Sequence, residues 1–160
     1  MLLNRRKSFT VGMVLLLAAG SVFFHACTTV DLYEKTASFS KHEWGGDHQP
    51  AFTFSITDTT HPYQLFFVFR HTDAYHFKNI WVEIQVKEPD STYTVSREFP
   101  LAAADKWLGE GMDDVYEHRV PFSKAPALLK KGSYTFTLRQ VMREEPLQHV
   151  LNAGIRIEKQ

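Results

Sequence analysis

The sequence is short of thiols, of excess positive charge, of long apolar runs and of catalytic signatures. It has one cysteine, Cys27, so no internal disulfide can form and the fold does not depend on one. Lys plus Arg and Asp plus Glu each number 18. Three of the bases, Arg5, Arg6 and Lys7, lie in the first 26 residues, which contain no acid. The remainder therefore carries 15 bases against 18 acids, a net of −3. Phosphate recognition needs a basic patch, so no nucleic-acid partner is expected. No apolar stretch reaches the roughly 20 residues of a membrane-spanning helix. No long amphipathic helix appears after Cys27. There is no G-x-S-x-G, and no nucleophile stands beside an oriented base, so the chain is not read as an enzyme and no cofactor is expected.

The aromatics are plentiful. Thirteen Phe, six Tyr and three Trp favour strands, and 160 residues suffice for one domain with a real core. The N-terminus has the layout of an export signal. Arg5, Arg6 and Lys7 form a basic head, Val11 to Phe24 an apolar segment, and Phe24-His25-Ala26-Cys27 the close. Residues 1–26 are thus expected to be a cleaved lipoprotein signal peptide. Cys27 is expected to become the acylated N-terminus of a single domain, 27–160, and thereby its membrane anchor. Arg5-Arg6 alone does not distinguish twin-Arg from ordinary export. Thr28-Thr29-Val30-Asp31 holds no acidic run resembling a surface-export signal. The domain is therefore expected close to the outer membrane on its periplasmic side.

Period-two alternation dominates the rest. Phe52, Phe54 and Ile56 share one face. So do Ile80, Val82, Ile84 and Val86, then Tyr134, Phe136 and Leu138, then Ile155 and Ile157. These predict half-buried strands. Leu65-Phe66-Phe67-Val68-Phe69 is apolar on both faces and predicts a central strand covered on both sides. Weaker strands are expected over 30–35, 92–101 and 115–122, and turns at 58–62, 88–91, 109–111 and 132. One helical turn is expected within 123–131, with Ser123 as N-cap and Gly132 as stop. This pattern gives an all-β class: a two-sheet antiparallel β-sandwich, jelly-roll-like, after the signal peptide.

Polar clusters are the remaining candidates for chemistry. His71 and His76 flank Asp73, and His42 and His48 flank Trp44-Gly45-Gly46-Asp47, but this spacing is nonspecific for zinc. Asp105, Glu110, Asp113 and Asp114 do not match a calcium loop, so no metal site is assigned. Trp44, Trp81 and Trp107 are candidates for an aromatic, sugar-stacking surface, with ordinary packing as the alternative. Asp58-Thr59-Thr60 and Asp90-Ser91-Thr92 resemble the short O-glycosylation acceptor of Bacteroidetes, which makes Thr59 and Ser91 candidate modification sites. Asp, Ser and Thr are also enriched in turns for their own hydrogen bonding.

Five segments carry a family resemblance: Val30-Asp31-Leu32-Tyr33-Glu34-Lys35, residues 54–63, Asn79-Ile80-Trp81-Val82-Glu83-Ile84, residues 132–143, and Gly154-Ile155-Arg156-Ile157-Glu158-Lys159. In that order and spacing, from about Cys27 to Gln160, the chain resembles the gliding-motility lipoprotein GldH family of Bacteroidetes. The resemblance implies an outer-membrane lipoprotein associated with gliding and the linked secretion apparatus, with envelope or motility proteins as partners and no enzymatic activity. It brings no ligand-binding residues. The runner-up is a carbohydrate- or envelope-polymer-binding sandwich. A binding module should show an exposed aromatic cleft, an assembly component a flat apolar patch or a free sheet edge.

Overall fold

The computed structural model describes residues 32–160. The leader, Cys27 and the first residues of the strand expected at 30–35 lie outside the described residues. Thirteen strands follow in order: β1 Leu32–Ser38, β2 Glu43–Trp44, β3 Ala51–Ile56, β4 Tyr63–Thr72, β5 Asn79–Lys87, β6 Thr92–Pro100, β7 Ala102–Ala103, β8 Lys106–Trp107, β9 Glu110–Met112, β10 Val115–Pro121, β11 Gly132–Gln140, β12 Leu147–Gln148 and β13 Val150–Lys159. A short 3-10 turn, Ser40–His42, joins β1 to β2. Among the described residues there is no α-helix, and no helix is long and apolar enough to cross a membrane.

All strand pairs are antiparallel. One sheet has the order β1-β13-β4-β10-β9, the other β3-β11-β5-β6, with two small ribbons, β12-β2 and β7-β8. Alternation explains how the sheets meet. Phe52, Phe54 and Ile56 of β3, the even residues Ile80 to Val86 of β5, and Tyr134, Phe136 and Leu138 of β11 are all buried. They face Phe67, Phe69, Ile155 and Ile157 of the first sheet in one core. Phe67 is wholly buried and stacks on Phe99 of β6 with centroids 4.5 Å apart. The expected sandwich is what forms.

β4 is central, as its composition requires, between β13 and β10. Its cover differs from the expectation. One face meets the second sheet. The other meets no further layer among the described residues and is roofed by ionic side chains. Val68, 1% exposed, is flanked in register by Arg119 and Gly154. Arg119 reaches across to Glu34 of β1, Nε to Oε2 3.1 Å, while Arg156 meets the same carboxylate at 2.6 Å and also pairs with Glu158. Glu117 joins Arg119 at 2.5 Å and Arg70 at 2.7 Å. Arginine stems cover apolar surface while their heads stay in water, so an apolar second face needs no second sheet.

The helical turn expected within 123–131 is absent. Pro126 disfavours helical backbone in the residue before it. Ala127 instead bridges to Tyr63, the two N–H···O bonds being 2.8 and 3.0 Å. Ser123 does not cap: its hydroxyl donates to the Ala125 carbonyl. Gly132 opens β11 rather than stopping a helix. Its φ of +142° and a would-be Cβ only 2.6 Å from Pro89 explain the glycine.

Candidate functional site

The sandwich has two ends. β1 begins at Leu32, which lies opposite Glu158, itself opposite Gln64. The end holding the start of β4 is therefore the end from which the chain leads back to Cys27. The start of β6, the end of β10 and the segment 122–131 lie at this same end.

A cleft opens there between the sheets, with a volume of about 330 Å³. Residues 93, 95, 97 and 99 of β6 share one face. Phe99 is buried in the core, Val95 is half-buried, and Tyr93 is 48% exposed. The opposite wall is Leu65, Phe122 and Leu129, with Ile84, Val86 and Phe136 deeper. Phe122 is held there by its N–H, which donates to the Leu65 carbonyl at 2.9 Å. β6 is also an edge strand: among the described residues it pairs only with β5. Free edges this long are usually blunted by charge, proline or cover, and here only Arg97, Glu98 and Pro100 do so.

The polar groups of the cleft are almost all engaged. The Tyr63 hydroxyl donates to the Asp58 carbonyl at 3.0 Å, that of Tyr134 to the Lys130 carbonyl at 3.1 Å, and that of Tyr93 to Glu88 at 3.4 Å. Glu88 accepts a further bond from Ser91 at 3.0 Å. Burial, and then the Glu88 charge, push the Tyr93 phenol up. Arg97 lines the cleft and makes no ion pair among the described residues.

The far end holds an aromatic cluster built on two buried histidines. His71 of β4 and His118 of β10 have their Nε2 atoms 2.9 Å apart, under Trp107, Tyr75 and Tyr116. His71 Nδ1 lies 2.6 Å from the Thr72 carbonyl. A carbonyl only accepts, so Nδ1 carries the proton and Nε2 accepts from His118. Burial depresses both histidines. His118, which also faces the His71 ring, is lowered to about 4. The sequence reading singled out His71 but missed His118, although Tyr116, His118, Val120 and Phe122 alternate on one face.

The other histidines are dispersed. His76 is exposed and meets Glu144 at 2.8 Å. His48 lends its carbonyl to the Trp44 indole and its ring edge to Phe39. His42 ends the 3-10 turn. Asp105 is exposed and pairs with Lys78, and Glu110, Asp113 and Asp114 are exposed. Among the described residues no three His, Cys, Asp or Glu side chains converge as metal ligands.

The three tryptophans stand in different surroundings. Trp44 is wholly buried and stacked on Phe39 at 4.9 Å, so it offers no face to a ligand. Trp107 packs its edge on His71 at 4.5 Å. Trp81 alone is open, at 41% exposure, on the outer face of β5. It borders a shallow pocket with Phe77, Asn79, Met142 and Arg143. Thr59 and Ser91 are both exposed in turns. Next to Thr59, Asp58 is held well below the usual carboxylate range by Lys159 and by the hydroxyl and N–H of Thr60.

Comparison with known proteins supplies the family. The family model described as GldH lipoprotein matches residues 31–157. A gliding motility lipoprotein GldH homolog of Christiangramia forsetii is 26% identical over 147 residues, covering 86% of this chain and 90% of its own. The gliding motility lipoprotein GldH of Flavobacterium johnsoniae is 26% identical over 155 residues, covering 91% and 94%. Among solved structures, dimeric latent PorU of Porphyromonas gingivalis aligns with 85% of this chain and 13% of its own, at 12% identity and a TM-score of 0.37, too distant to bear on the argument. A family match that runs through the whole folded domain, from the first strand to the last, makes this chain a member of the GldH lipoprotein family.

Proposed function

We propose that the protein is a non-enzymatic, lipid-anchored component of the gliding-motility machinery and its linked secretion apparatus, held through Cys27 at the periplasmic face of the outer membrane. The observation that carries this reading is the family match over residues 31–157. The surface supports it: the cleft beside β6 is mainly apolar, and the buried histidines face each other. The free edge of β6 is the feature expected of an assembly component, because an unpaired strand can accept another from a partner. Crosslinking in the native envelope, followed by capture of the anchored protein, tests the reading. Motility or secretion proteins should be recovered with the wild type and lost when β6 is blocked by Thr94→Pro. Recovery of none of them would refute it. Protease accessibility only after the outer membrane is opened tests the periplasmic orientation.

A second reading, an envelope-polymer-binding module, rests on Trp81, whose open face is bordered by Asn79 and Arg143. Trp81→Ala should then abolish retention on isolated cell-wall glycan. Glycosylation at Thr59 or Ser91 is proposed alongside either reading, since both side chains are exposed in turns. The intact mass of native protein, compared with a Thr59→Ala, Ser91→Ala double variant, decides it.

A further inference from the structure

We infer that the cleft beside β6 binds a single long acyl chain that carries an anionic head, a fatty-acid-type amphiphile of the envelope. Three features of the cleft specify that ligand, and none of them depends on the motility role. The interior is lined by aliphatic and phenyl groups, and its volume of about 330 Å³ lies in the range of small-ligand sites, about 300–1,000 Å³. Its polar groups, Arg97 apart, are mostly turned to the protein: the three phenols donate their protons to Asp58, Glu88 and Lys130, and Glu88 and Ser123 are bonded within the protein. A sugar or polar metabolite would lose its hydration along the apolar walls and regain few hydrogen bonds there. A polymethylene chain loses no hydrogen bond and gains from leaving water.

The head group follows from charge. Arg97 shares the inward-facing side of β6 with Val95 and Tyr93 and lines the cleft. It makes no ion pair among the described residues, whereas the nearby cation Lys130 is taken by Asp90 at 2.5 Å. An anion at Arg97 places the tail along Val95, Phe122 and Leu129 toward the mouth.

Location agrees. Exposed apolar side chains stand at this end, Tyr93 at 48%, Leu32 at 56% and Leu128 at 65%, as they do at the other, Leu108 at 58% and Met112 at 78%. Four residues lie between Cys27 and Leu32, so the five steps reach at most about 17 Å at ~3.3 Å per residue. An anchored domain would therefore present this end to the source of acyl chains. Failure of the anchor reading would remove this last point and leave the cleft chemistry untouched.

The test uses the full chain with Cys27→Ser, so that no attached acyl group competes, and a palmitate analogue bearing a photoactivatable diazirine. Labelling should map to Val95, Phe122 and Leu129 and be competed by unlabelled palmitate. Arg97→Glu, an exposed position with no ion pair to break, should weaken binding by about tenfold with an unchanged melting curve. Trp81→Ala, at the opposite end, should leave binding intact. Absent or scattered label overturns the proposal, as does Arg97→Glu binding palmitate like the wild type. A copurifying polypeptide strand that fills the groove on β6 and excludes palmitate would assign the site to a protein and overturn it equally.

Discussion

Two residues show how narrowly local chemistry constrains this fold. His71 and His118 are buried as a neutral pair, one donating to the other, within aromatic walls. Their folded-state affinity for protons is depressed, His118 to about 4 against 6.5 for the free side chain. For a base, that means the unfolded chain takes up protons first. The stability contributed by this pair should be full above pH 6.5, fall as pH drops from 6.5 toward 4, and be gone below, where the carboxylates take over. The loss attributable to His118 is about 3 kcal/mol. Urea melts across this window should show it, and His118→Gln should flatten the slope. An unaltered slope in that variant would mean that other groups titrate. Gly154 is constrained by space instead. A Cβ there would lie 2.1 Å from the Lys35 carbonyl and 2.6 Å from the Thr36 Cα, both in β1. Gly154→Ala should push β1 from the sheet, costing about 1–3 kcal/mol. Faster amide exchange over Leu32–Ser38 would report it, and unchanged exchange would contradict it.

At the scale of elements, β4 is the test piece. Phe67 is fully buried and contacts Phe69 and Phe99. Phe67→Ala should cost about 3–5 kcal/mol, a large part of the roughly 5–15 kcal/mol of a typical domain. A thermal melt that barely moves would deny the strand its central place. How far the elements were legible depended on whether the information was local. Alternation in β3, β5, β11 and β13 is a property of consecutive residues, and those strands stand where it placed them. The turn at Glu88–Ser91 likewise closes on its own N–H···O bond of 2.8 Å. The ionic roof over Val68 was not legible, because Glu34, Glu117, Arg119 and Arg156 come from three strands whose register no local pattern reveals. The same limit hid His118 as the partner of His71 and Arg97 as the open cation of the cleft. For Trp44 the packing alternative is the one that forms: the short ribbon of β2 with β12, remote in sequence, folds it inward onto Phe39.

For the whole molecule, the arrangement of ends is the organising fact. The start of β1, the free end of β6 and the acyl-sized cleft lie together, while the histidine cluster and Trp81 lie at the other extreme. If Cys27 is the anchor, the domain hangs from one end and shows its far end to the periplasm. The cleft then meets lipid, while the backbone edge of β6 stays open to a partner strand. Cys27→Ser removes the only thiol and with it any acylation at that residue. The variant should shift from the membrane to the soluble fraction, or stall as an unprocessed precursor, and should lose incorporation of labelled fatty acid. Serine is close to cysteine in size, so the melting curve should not change. Unaltered fractionation and labelling would refute the anchor. Release with a lowered melting temperature would mean that residues before β1 contribute to the fold.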